Sequence, residues 1–401
     1  MTLELFPPTR ADGLAKLAAF APHAGRDYAM GRNTDNGPEE RSYVSRLSPY
    51  LRHRLLTERD VLQYVLSQHS LSSAEKYVQE VMWRTYWKGW LEMRPGVWTR
   101  FLEERDRAQD CFSDRAAIEA AENGETGIEG FDEWAHELVA TGYLHNHARM
   151  WFASIWIFTL RLPWALGADF FLRNLVDADA ASNTLSWRWV AGLQTVGKSY
   201  LATTDNIARF TNHRFAPKGL ATEAFALTEP PVEPARPLPK TAEYDCSKRS
   251  LLLVTHEDMN PESVVTDVAG VTAAIVVNAA DQLWSETSAL FVSAAAVDTT
   301  ARVERHYGCP ATIIESFDAA ACIAAAQAAG ISQIITPCAP VGPVADSLHR
   351  LRTPLAAAGI ELSLVRRPWD ERFWPHAKKG FFPFKEQIAA ELLAERLIGK
   401  R

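Results

Sequence analysis

Residues 141–189 set charged side chains among large apolar ones. His145, Asn146 and Arg149 lie among Met150, Trp151, Phe152, Ile155, Trp156, Ile157 and Phe158. A guanidinium in such surroundings needs an anion, because a buried, unpaired charge is strongly destabilising. Asp177 and Asp179 are the nearest supply, followed by Ala181-Ser182-Asn183-Thr184 and then by Trp187 and Trp189. The grouping predicts an aromatic-walled, internally charged pocket able to hold a large flat cofactor. The plainer alternative is a helical core with one buried ion pair and tryptophans at packing positions; the number and grouping of the polar residues favour the pocket.

The elements that must position these residues are helical. Residues 10–20 read as a short amphipathic helix, followed by a polar, glycine-containing loop over 22–41. Apolar residues then recur at three- and four-residue spacing over 57–93, which predicts helix broken near Ser70. The acidic stretch 103–114 reads as a solvated face, and 129–140 as a helix leading into the central segment. Pro230, Pro231, Pro234, Pro237 and Pro239 then form an extended, semi-rigid linker. Beyond it, short apolar runs (250–254, 273–277, 290–292, 311–314, 333–335 and 361–365) alternate with Ala-rich helical segments at 319–329 and 343–358. That alternation predicts a parallel sheet covered on both faces. The fold class expected is an all-helical domain over 1–222, a Pro-rich linker over 223–247, and a Rossmann-like α/β domain over 248–401.

A chain of 401 residues has room for two such cores. The formal net charge of −7 argues against nucleic-acid binding unless positive charge is concentrated on one face. The five cysteines form no C-x-x-C pair, so they read as reduced thiols with no zinc or iron–sulfur pattern. The first eight residues have no basic and apolar signal regions, and the apolar run 150–162 is shorter than a membrane span and bracketed by Arg149 and Arg161. A cytoplasmic protein with no membrane partner is expected. Gly192 to Ser199 spells G-x-x-x-x-G-K-S, a phosphate-binding loop if a buried strand precedes it; 186–190 reads as a poor strand, which weighs against an ATPase.

Several separate motifs over residues 28–200 resemble the photolyase/cryptochrome family. Tyr28-x-x-x-Arg32-Asn33 resembles its Tyr-x-x-x-Arg-Asp, with Asn33 replacing the acid. Val44-Ser45-Arg46-Leu47-Ser48-Pro49-Tyr50-Leu51 resembles its phosphate-binding T-S-R-L-S-P-Y-L, with Val44 replacing Thr; hydroxyls, backbone N–H groups and a guanidinium suit a pyrophosphate. Glu80-Val81-Met82-Trp83-Arg84 resembles E-x-x-W-R, and Glu80 and Trp83 face one side of a helix. His145-Asn146-x-x-Arg149-Met150 resembles H-N-R-x-R-M, and Asp177-x-Asp179-x-x-x-Asn183 resembles D-x-D-x-x-x-N. In the second half, 359–365 and Gly380-Phe-Phe-Pro-Phe-Lys385 are similar to the close of the family's α/β antenna domain, here placed after the helical domain rather than before it.

The resemblance implies FAD held by Tyr28, Arg32, Ser45, Arg46, Leu47, Ser48, Asn146, Arg149, Asp177, Asp179 and Asn183, with Arg149 paired to Asp177. It implies a deoxyribodipyrimidine photolyase, in which light-excited reduced flavin passes an electron to a cyclobutane pyrimidine dimer. The dimer is taken out of the base stack, a step that belongs to photolyases as a class and is not inferred from this chain. Glu80, Trp83, Met150, Asn183 and Trp189 are the implied catalytic set, and Trp187 and Trp164 the first electron carriers. A third tryptophan is missing near Arg105, where Trp98, Trp151 or Trp156 could substitute. A second, antenna chromophore has no residue assigned to it. The implied partner is UV-damaged DNA, met by a monomer. The alternative is a cryptochrome-like blue-light photoreceptor that binds FAD without repair.

Overall fold

The computed structural model describes residues 2–38, 43–241 and 244–399; residues 39–41 of the expected loop, Ser42 after it and residues 242–243 of the expected linker lie outside them. Helices account for the regular structure up to Thr204–Phe210, and a sheet organises the chain from Ser250 onward. The helix Arg10–Phe20 starts at Thr9, whose hydroxyl accepts from the Asp12 N–H. The expected break near Ser70 is sharp. Glu58–Leu66 opens on a Thr57/Asp60 capping box, and Ser70 caps the 22-residue helix Leu71–Glu92. The stretch read as a polar loop over 22–41 contains the helix Arg26–Gly31, which buries Tyr28 and Gly31.

The central segment folds as Asn146–Ser154, a π-helical turn Ile155–Thr159, Trp164–Asn174 and Ala180–Val190. These helices pack Trp151, Trp156, Trp164 and Trp187 in the core. Gly167 is required there, since a Cβ would sit 2.4 Å from Trp187 and 2.9 Å from Trp156. The G-x-x-x-x-G-K-S run follows the helix Ala180–Val190 rather than a strand and folds as turns, so it is not a nucleotide-binding P-loop.

The sheet has five parallel strands, β1 (Ser250–Val254), β2 (Val271–Val277), β3 (Ala311–Ile314), β4 (Gln333–Pro337) and β5 (Glu361–Val365), in the order β3-β2-β1-β4-β5. β1 and β4 are buried throughout and apolar on both faces, as strands covered by helices on both sides must be. One expected strand is absent. Residues 290–292 lie inside the helix Glu286–Tyr307, where buried Phe291, Val292, Ala295, Ala296, Thr299 and Val303 recur at helical spacing and Ser285 provides the cap.

In this strand order the chain moves outward from β1 on one side and from β4 on the other, which opens a crevice at their carboxyl ends where such sheets commonly take ligands. Here protein fills it. Arg52, from the short helix Ser48–Arg52, makes two 2.7 Å hydrogen bonds to Glu257, just past β1. Arg54 donates to Asp370 at 2.7 Å and to Asp258 at 3.3 Å, while Arg367 forks onto Asp258 at 2.6 Å through two nitrogens. Past β4, the Val341 N–H donates to Glu92. Trp374 lies so close to Gly89 that a Cβ there would meet its backbone at 2.9 Å. One apolar core therefore runs from the helices into the sheet, with Leu252, Val254 and Phe291 in the same cluster as Tyr50 and Leu185.

Buried pairs of this kind are strongly destabilising when half removed. Glu257→Ala leaves Arg52 buried without its carboxylate and should reduce unfolding free energy by about 3–5 kcal/mol, measured by denaturant titration. A loss under about 1 kcal/mol, the range of exposed pairs, would contradict this docking.

Candidate active site

Three guanidinium groups fix three consecutive residues. Arg149, one turn into the helix Asn146–Ser154, forks onto Asp177 with bonds of 3.0 and 2.9 Å, and its Nε donates to the Leu144 carbonyl. Arg52 donates its Nε to the Ala178 carbonyl at 2.7 Å. Arg84 donates to Asp179 at 2.5 Å. Asp179 also caps the helix Ala180–Val190, accepting from the Ala181 and Ser182 N–H groups, and Ser48 hydrogen-bonds Asp177. Burial alone would raise both carboxyls. Arg149 holds Asp177 below the usual range, and Arg84, Lys88 and Arg52 bring Asp179 down to about 2.

Above this turn, Arg46 and Arg149 stand over one ring, with guanidinium carbons 5.6 and 5.5 Å from the centroid of Tyr143. Arg46 adopts a left-handed backbone, φ 50°. Ser45 lies beside Tyr77, and Leu47 is buried. Tyr28 meets Tyr77 edge-on at 5.1 Å. Asn146 is exposed at the first turn of its helix. The amide N–H of Asn183 donates to the Ala168 carbonyl at 2.8 Å, which fixes its orientation.

Arg32 pairs with Glu80 across to the long helix. Burial raises the Glu80 carboxyl above its ordinary value, with Arg32 opposing. Trp83, one turn on, stacks on Phe381 of the C-terminal helix Phe381–Ala394, with centroids 3.6 Å apart and planes 11° apart. Trp189 stacks on Tyr200 at 5.6 Å, and Met150 is partly exposed. Trp187 meets Phe171 at 5.1 Å and Trp156 at 6.3 Å. Trp164 donates to Glu104 and packs on Phe101, beyond which lie Trp98 and Trp284. The position of the missing third tryptophan, Arg105, is ion-paired with Asp106 and Asp169.

The chain thus brings Arg32, Glu80 and Tyr28 together on one side, and Ser48, Arg149, Asp177 and Asp179 on the other. Sequence reasoning assigned no role to Arg52, Arg84, Lys88, Tyr143 or Glu257. Arg84 and Lys88 continue the spacing of four from Glu80 along one helix face, a legible signal. Glu257 reaches the site only through the tertiary fold.

Several buried polar atoms have no partner: Asn33 Oδ1, Arg46 Nε, His145 Nε2, Ser182 Oγ and Trp187 Nε1. Native interiors leave few such atoms. Together with the paired cations of Arg46 and Arg149 and the aromatic walls, they fit a large cofactor that carries both phosphate and a flat ring system.

Residues 77–219 match the family model for the FAD binding domain of DNA photolyase. That match takes in Glu80, Arg149, Asp177, Asp179 and Asn183; the residue 28–51 motifs lie outside it. A deoxyribodipyrimidine photo-lyase of Thermus thermophilus is 30% identical over 236 residues, 59% of this chain and 54% of that one. The enzyme of Streptomyces griseus is 35% identical over 153 residues, 38% of this chain and 33% of its own. A solved bacterial class III photolyase from Agrobacterium tumefaciens is 27% identical, covering 52% of this chain and 46% of its own, with a TM-score of 0.43. The matches therefore span about half, or less, of these relatives' length. Over residues 77–219 the helical part is thus similar to the FAD binding domain of DNA photolyase.

Burial, reinforced by neighbouring cations, depresses four histidines around the site and the docking surface. His145, His147 and His256 fall to about 4 from 6.5, and His53 falls well below 6.5. Each is neutral when folded and takes up a proton on unfolding. Their contribution is complete above pH 6.5 and is lost as pH falls from there toward 4, at roughly 1.4 kcal/mol per pH unit for each group. Unfolding free energy measured between pH 7.5 and 4.5 should fall steeply below about 6.5; a flat profile would contradict the neutral, buried assignment.

Proposed function

We propose that the protein is a light-driven DNA repair enzyme that splits cyclobutane pyrimidine dimers, a deoxyribodipyrimidine photolyase. Residues 1–222 form its FAD and catalytic domain, 223–247 its linker and 248–401 an antenna-like domain. The observation that carries the reading is the fork of Arg149 on Asp177, with Arg46 and Arg149 over the Tyr143 ring and buried atoms of Arg46, His145 and Ser182 left unpartnered.

In this reading Ser45, Arg46, Leu47 and Ser48 cradle the pyrophosphate, with Tyr28, Arg32 and Asn146 completing the binding set. Arg149, Asp177, Asp179 and Asn183 hold the flat ring. Bound FAD would supply an electron to the lesion on absorbing blue light. Arg149 places a fixed cation beside the ring and favours negative charge on it. Glu80 offers a hydrogen-bonding carboxyl to a base edge, and Met150, Trp83 and Trp189 provide contact surface for the lesion. Trp187 carries electrons from the protein side, with Trp156 the tryptophan in ring contact with it and Trp164 further along. The protein acts on damaged DNA as a monomer.

One observation favours a second reading, a blue-light photoreceptor of cryptochrome type. Phe381 lies flat on Trp83, on a ring face that a base would otherwise use. An illuminated assay on dimer-containing oligonucleotide separates the two. The repair reading predicts dimer loss under blue light and at least a tenfold slower rate in Glu80→Ala with flavin still bound, the order of effect of losing one positioned group. A yellow protein that leaves dimers intact decides for the photoreceptor. Arg149→Ala strands Asp177 and should weaken FAD binding by about 100-fold or more, read by flavin fluorescence titration; unchanged affinity would refute the pairing.

A further inference from the structure

The chain carries a net charge of −7, yet the charged residues lining one cleft are mostly cations. A cleft of about 680 Å³ lies between the Pro-rich linker and the helix Pro368–Phe373, lined by Arg236, Lys240, Arg366 and Lys378 with Glu371 as its acid. The Arg366 side chain is only 5% exposed. It reaches Glu371 and the Pro239 carbonyl, yet its buried Nε has no partner. Arg94 stands beside the cleft. Its guanidinium lies 4.4 Å from the Trp90 ring, one nitrogen donates to the Lys378 carbonyl, and the other is buried and unpartnered. Burial lowers its pKa, opposed by the Tyr86 hydroxyl alone and by no carboxylate. A cation so placed lacks its anion.

The segment carrying Lys378 is pinned along the helix Leu71–Glu92. Arg94 holds the Lys378 carbonyl, the Tyr86 hydroxyl holds the Lys379 carbonyl at 2.8 Å, and Phe381 lies on Trp83. Lys378 and Lys379 are exposed, and Phe382 beside them is 76% exposed. From Arg94 to Trp83 the helical rise gives about 16 Å. Measured along a duplex axis, that length spans about five phosphates of one strand at 3.4 Å each, and it exceeds what a single phosphate needs. Cations with an exposed aromatic among them suit a nucleic-acid backbone.

We propose that Arg94, Lys240, Arg366, Lys378 and Lys379 form a phosphodiester-binding track, built by the linker and the C-terminal segment, that delivers a nucleic-acid strand to the Trp83 end of the site. The proposal rests on the repair reading for what happens at Trp83, but not for the track itself.

The test uses the full-length, flavin-loaded protein and a fluorescent undamaged duplex, with binding followed by anisotropy over a salt series. Lys378→Glu/Lys379→Glu should weaken binding at least about tenfold and reduce the slope of log affinity against log salt by about two. Arg305→Glu/Arg352→Glu, an equal charge reversal at exposed positions of the α/β part, should leave the slope unchanged. Arg94→Gln should reduce the slope by about one, with an unaltered thermal transition as the check on folding. Inorganic phosphate and a mononucleotide should compete only weakly. Wild-type protein that binds no duplex, a double variant that matches the wild type, or displacement by free phosphate as effective per phosphate as by duplex would each overturn the track. Lysine-dependent binding without light-driven dimer loss would keep the track and sink the repair reading. Dimer loss with an unchanged slope would do the reverse.

Discussion

The turn at Asp177-Ala178-Asp179 has a guanidinium on each of its residues, and the rest of the molecule is arranged to supply them. Arg149 comes from the helix Asn146–Ser154, Arg84 from the long helix Leu71–Glu92, and Arg52 from the short helix Ser48–Arg52. Each is buried or nearly so, and each would be destabilising without its oxygen partner. The turn is consequently rigid in the direction that matters. It sets where the helix carrying Asn183 begins and where the Arg149 cation stands.

Arg52 ties this local constraint to the whole fold. Its remaining nitrogens are held by Glu257, at the carboxyl end of β1. The switch-point crevice of the sheet, commonly a ligand site, serves as a socket for the helical part. The same edge receives Arg54 through Asp258 and Asp370. The α/β part therefore bears directly on the site, although it follows it in sequence: Glu257 holds Arg52, and Phe381 lies on Trp83. A charge network this deep favours one docked arrangement, because any misalignment leaves several charges unpaired.

Much of this was legible in the residues. The need of Arg149 for an acid, with Asp177 and Asp179 the nearest supply, followed from a cation among tryptophans, while the choice of Asp177 came from the family resemblance; the helix break near Ser70 was also legible. Five of six expected strands lie where short apolar runs are flanked by turn residues. The sixth, at 290–292, failed because three apolar residues cannot distinguish a strand from one face of a longer helix. The helix Arg26–Gly31 escaped notice because it is short and polar and is stabilised by burying Tyr28. Glu257 could not be found from sequence at all. Its partner lies 205 positions away, and a Thr-His-Glu-Asp run after a strand looks like an ordinary polar loop. The stack of Phe381 on Trp83 is likewise a product of tertiary docking.

The proposed FAD site is the cage of cations and Tyr143 around Asp177. Titrating FAD into the flavin-free, full-length protein while following flavin fluorescence tests it most directly. Saturable uptake of one FAD per chain with submicromolar affinity, accompanied by a structured flavin absorption band, is the expected result. A well-folded protein that remains colourless and leaves flavin fluorescence unchanged would contradict it.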